Sequence, residues 1–118
     1  MIDAARLQGM NPVEESFLEY HLRNPHVYAV LVDLARRTAG RGHSKVGIDM
    51  LHAVARWNSM VGVTVGDEFL LNNNHRPYYA RLIMLGEEGL FGLFDVREIR
   101  VPSVLEDMYL RRLREQEA

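Results

Sequence analysis

The five histidines are the first candidates for chemistry, because a chain without cysteine must bind a transition metal or move a proton through imidazole and carboxylate groups. Their spacing argues against both uses. His21 and His26 fall in or near the first two helices expected, and His43, His52 and His75 fall in three further elements. No two of them stand four apart on one helix, as a zinc-binding pair would. Asp49 and His52 share a helix face, yet two ligands do not make a site. The run Asn73-Asn74-His75 suggests a His-Asn-His nuclease, but nothing after His75 supplies the second metal-binding histidine such a site requires. None of Ser16, Ser44, Ser59 and Ser103 sits in a Gly-flanked elbow, and Gly40-Arg41-Gly42 is too short to cradle a phosphate. No catalytic group, metal site or cofactor is expected.

Charge gives a more specific signal. The net charge is -2, but residues 36–81 hold seven basic side chains against three acidic ones, while the segments on either side are net acidic. A central basic segment can present a cationic face in a protein that is acidic overall. Arg36, Arg37, Arg41, His43 and Lys45 fall around the end of one helix and the turn into the next, and Arg56 lies further along that next helix. Duplex DNA is the partner this arrangement predicts. Arg37, Arg41, Lys45, His52 and Arg56 would make phosphate and groove contacts, and Asn73, Asn74 and Arg76 at a helix amino end would form a second contact region.

The elements that must carry these residues follow from apolar spacing and caps. Residues 1–12 read as a flexible lead, 13–101 as a single globular domain and 102–118 as a C-terminal helix. Phe17, Leu18 and Leu22 mark a short helix that ends at Asn24-Pro25. Asn24 is then expected to cap a second helix, with Val27, Val30, Leu31, Leu34 and Thr38 on one face and a stop at Gly40–Gly42. A third helix over 47–60, with Ser44 as a cap, would turn Met50, Leu51, Val54, Trp57 and Val61 inward and the polar face of Lys45, Asp49, His52 and Arg56 outward. Val61–Val65 and Glu68–Leu71 flank Gly66-Asp67 as a β-hairpin. A fourth helix, capped by the asparagines, runs from near His75 to Gly86. The apolar run 91–96 either pairs as an edge strand or packs into the core. Ser103 and Glu106 form a capping box for the last helix. The class expected is α+β and mainly helical, with a helix-turn-helix-like core and a small β-hairpin, which is winged-helix-like in outline.

Phe69–Leu82, which contains Asn72-Asn73-Asn74 and Tyr78-Tyr79-Ala80-Arg81-Leu82, joins Asn24-Pro25-His26-Val27-Tyr28, Arg41-Gly42-His43 and Arg56-Trp57 in a recurring order. In these motifs the chain resembles a family of small proteins encoded by bacteriophages, prophages and related mobile elements, over about residues 17–98. The family brings no established activity. What the resemblance implies is a phage setting, in which small proteins act on DNA or bind host proteins. The function expected is therefore a phage-type DNA-binding regulatory or accessory protein. Its rival is a protein-interaction module that engages a host or phage partner, or itself as a homodimer, through the last helix and the Phe91–Phe94 region.

No run approaches the roughly 18 apolar residues that cross a membrane. Asp3 stands where a signal peptide would be positively charged. These features, with the absence of cysteine, predict a cytoplasmic protein with no membrane partner.

Overall fold

The computed structural model describes residues 9–61 and 73–117. Asn11 starts the first helix, α1 (Pro12–Arg23): its extended backbone turns the side-chain oxygen onto the Glu14 N–H at 2.8 Å, and Pro12 takes the position where no N–H is needed. One residue separates α1 from α2 (Pro25–Gly40). Asn24 does not cap α2 as the sequence suggests. Its φ of -132° and ψ of 61° aim its amide back at the Tyr20 carbonyl, so it closes the carboxyl end of α1 instead. Gly42 ends α2 in the left-handed region at φ 93°. There the Gly42 N–H reaches Ala39 O and the His43 N–H reaches Thr38 O, the paired bonds of a Schellman turn.

After the loop 41–47 comes α3 (Ile48–Val61), which starts with the Met50 N–H on Gly47 O rather than from Ser44. Asn73–His75 form a 3₁₀ turn that runs directly into α4 (Arg76–Gly86). His75 precedes the helix in helical backbone with no side-chain cap bond, so the asparagine run supplies a turn and not the expected cap. The last helix is α5 (Val104–Glu117). Phe17 from α1, Val27, Leu31 and Ala35 from α2, and Tyr79, Ile83 and Met84 from α4 form the centre of the core.

The α+β, winged-helix-like class is corrected by this architecture. Five α-helices and no strand occur among the described residues. Val61, expected to open the hairpin, is the last residue of α3, and the rest of that hairpin lies outside the described residues. The β-prone run 91–96 contributes only an isolated parallel bridge, in which the Val46 N–H donates to Leu93 O at 2.9 Å and the Asp95 N–H to Val46 O at 3.2 Å. Leu93 and Phe94 spend their side chains in the core. No described helix is long and apolar enough to cross a membrane.

A buried polar network locks α5 to the rest. The Glu14 side chain, fully buried on α1, accepts from Ser103 Oγ at 2.8 Å and from the N–H groups of Val104 and Leu105, each at 2.9 Å. A carboxylate from another helix thus satisfies the orphan donors of the first turn of α5 and meets the positive end of its dipole. Ser103 Oγ does accept the Glu106 N–H, but the other half of the capping box is absent, because the Glu106 carboxylate is engaged elsewhere. It takes Arg81 Nε at 2.8 Å and the Ile99 N–H at 2.6 Å. Arg81 is 1% exposed, adds a second bond from Nη2 to Glu106 Oε2 at 3.3 Å, and donates to Pro77 O and Arg97 O.

Removing one partner of a buried pair strands the other charge. Arg81→Met and Glu106→Leu are each expected to cost about 3–5 kcal/mol in urea denaturation, and the double replacement Arg81→Met/Glu106→Leu less than their sum. Single-variant costs below about 1 kcal/mol would be those of an exposed pair and would contradict this account. Gly42→Ala, which forces a side chain into left-handed backbone, is expected to cost about 1 kcal/mol by the same measurement.

Candidate binding face on α2 and α3

The rotation of α3 about its own axis decides what the central segment presents to solvent. Ile48, Leu51, His52 and Ala55 are buried, at positions i, i+3, i+4 and i+7 of one helical stripe. Met50, Val54 and Trp57, expected inside, are 61%, 39% and 63% exposed. Of the face predicted to meet DNA, His52 is buried, whereas Lys45, Asp49 and Arg56 are exposed. Asp49, although exposed, pairs with Arg76 of α4 at 3.5 Å. Both stripes satisfy the helical period, and only the fit against α2 and α4 selects between them.

Between α2 and α3 lies an open trough of about 480 Å³. Leu34, Val46, Leu51 and Val54 supply its apolar surface, with Met50 at its side. Arg37, Arg41, His43 and Lys45 line it as well, and none of its lining residues is acidic. Arg37 is partly offset by Asp33 at 3.0 Å, and Lys45 Nζ donates to Gly92 O at 2.8 Å while staying exposed. The Schellman turn positions Arg41 and His43 at the mouth of the trough.

The eight residues predicted to bind DNA are therefore dispersed. Arg37, Arg41 and Lys45 gather at the trough. Arg56 is exposed further along α3, Asn73 and Asn74 are exposed on the 3₁₀ turn, and Arg76 is half-buried in its pair with Asp49. His52 is inside and unable to reach a groove or a phosphate. What the sequence reading missed is the outward apolar stripe. Its signal was present in the second stripe at Ile48, Leu51, His52 and Ala55, hidden because a histidine occupies one position.

A different set of groups surrounds Phe17. The ring of His21 stacks on one side of it, while Tyr79 meets it edge-on at 4.7 Å and His75 edge-on at 6.0 Å. Ser16 Oγ and His75 Nε2 are 3.1 Å apart, with the direction of the bond set by the tautomer. A serine nucleophile needs its histidine oriented through the other nitrogen. His75 Nδ1 is buried with no hydrogen-bond partner among the described residues, so the pair has the contact of a dyad without its orienting acid. Among the described residues no three His, Asp or Glu side chains gather as a metal site requires.

Comparisons with protein-family models, with curated proteins and with solved structures return no match to the chain.

Burial lowers the pKa of both His21 and His75 below the usual imidazole value. The unfolded chain then takes up protons first, so stability is complete above about pH 6.5 and declines as the pH falls below it. The urea midpoint is expected to drop between pH 7 and pH 5, and His75→Asn to flatten that drop. An equal drop in wild type and variant would assign the pH dependence to other groups.

Proposed function

We propose that the chain is a non-catalytic interaction module that binds a partner polypeptide on the α2–α3 face. The observation that carries this reading is the solvent-facing stripe Met50, Val54 and Trp57 beside a cation-rimmed apolar trough. Contiguous apolar surface of this kind is costly to leave in water and is characteristic of binding sites. Its central and peripheral parts match the usual division of an interface into an apolar core and a polar rim. The family resemblance favours a host or phage polypeptide as the partner. Duplex DNA is the second reading, and it draws on the exposed Arg37, Arg41 and Lys45 at the same trough. It is the weaker one, because the other residues it needs are buried, paired or distant.

Selection of binders from a random peptide library provides the test. Enriched peptides are expected to compete with one another and to lose binding on Val54→Glu, a change at a partly exposed site that the fold should accept. Binders indifferent to Val54→Glu would remove this face from the function. Mixed-sequence duplex DNA bound with a steep salt dependence, together with no peptide enrichment, would overturn the reading in favour of nucleic acid.

A further inference from the structure

This inference rests on reading the α2–α3 face as a polypeptide site, and it concerns what form of polypeptide the face accepts. A small molecule suits it poorly. Ligand pockets enclose about 70–90% of what they bind, whereas this trough is open and its neighbours Met50 and Trp57 are largely exposed to solvent.

An extended peptide that adds a strand needs free backbone donors and acceptors along an edge. The described backbone beside the trough offers few. The N–H and C=O of Val46 are spent on Leu93 and Asp95, and the N–H groups of Gly42 and His43 on the end of α2. The occupant must therefore satisfy its own backbone and bind through side chains, as an α-helix does. The receptor surface has the matching form. Met50, Val54 and Trp57 stand at i, i+4 and i+7 and form one ridge along α3, with the trough beside it as a groove.

Charge selects the polar part of the occupant. Arg41 and Lys45 carry full positive charges at the mouth of the trough, His43 adjoins them, and no lining residue is acidic. The carboxyl end of α2 brings only about half a negative charge, and its last carbonyls are already bonded within the Schellman turn. The cations therefore dominate the local field. We propose that the α2–α3 face captures an acidic amphipathic helix from another polypeptide, its apolar residues at i, i+3 or i+4, and i+7 lying against Met50, Val54 and Trp57, and its Asp or Glu residues facing Arg41 and Lys45.

Trp57 is the only tryptophan in the chain, so its emission reports directly on this face. Three synthetic 16-residue peptides serve as probes: one with helically spaced Leu and Glu flanks, one with the same Leu and Lys flanks, and one with Glu flanks and shuffled Leu. The Glu-flanked helical peptide is expected to shift the Trp57 emission to the blue and to bind about tenfold more tightly than the Lys-flanked one. The double reversal Arg41→Glu/Lys45→Glu, at two exposed positions and checked for folding by circular dichroism, is expected to invert that preference. Equal binding of the Glu- and Lys-flanked peptides would overturn the acidic assignment, and equal binding of the shuffled peptide the helical one. In either case loss of binding on Val54→Glu would leave the broader function standing. A concentration-dependent mass in light scattering that disappears on Val54→Glu would instead identify the occupant as a second copy, and so would overturn the proposal.

Discussion

The fold turns on one buried guanidinium. Arg81 projects from α4 into the interior and reaches three separate pieces of chain: the Glu106 carboxylate on α5, the Arg97 carbonyl in the segment before it, and the Pro77 carbonyl one turn back on its own helix. Burying such a charge is tolerable only when its donors are met, and a partly met network would be worse than an apolar core. Tyr109 adds its ring face at 5.5 Å. The requirement for complete pairing fixes α4, the 97–99 segment and α5 in one arrangement, with a specificity that nondirectional apolar contact does not provide.

The same logic extends to the amino end of the described chain. Asn11 divides its amide between the Tyr78 hydroxyl and the Pro102 carbonyl, each a long way off in sequence, and Glu14 holds the first turn of α5. On the opposite side, Glu87 just past α4 receives the Tyr28 hydroxyl at 2.9 Å and Arg36 at 3.1 Å, which ties α2 to the end of α4. Helix α4 is thus clasped from both sides, and its buried Tyr78, Tyr79 and Ile83 sit between. The segment Asn73–Leu82 supplies the start of this central helix and its lead-in turn. Its described residues do their principal work inside the molecule, and His75, Tyr78, Tyr79 and Arg81 are all buried.

The consequence for function lies at α3. Once α4 is fixed, α3 packs with Ile48, Leu51, His52 and Ala55 inward, and its larger apolar residues are left facing solvent. The helix turns Met50 and Trp57 outward while it buries a histidine, so it exposes apolar residues where simple amphipathicity would put its core. The basic segment then acquires a different meaning. Its exposed charges edge an apolar trough instead of forming a continuous cationic face.

The sequence by itself determined the helices and most of their ends, because caps and apolar spacing are local: Asn11-Pro12, Gly40–Gly42, Ser103 and the stripe Val27, Leu31, Leu34 all act within a turn or two of their own position. It also located the basic segment, which is a matter of counting. It did not determine the partner of Glu106, since a capping box and a buried ion pair begin from the same Ser-x-x-Glu pattern and only the arrival of Arg81 from α4 distinguishes them. Nor could it choose the inner face of α3, where two stripes have equal periodicity. The tertiary structure made that choice, because the face that fits against α2 and α4 is buried whatever its hydrophobicity, and Met50, Val54 and Trp57 are left facing solvent.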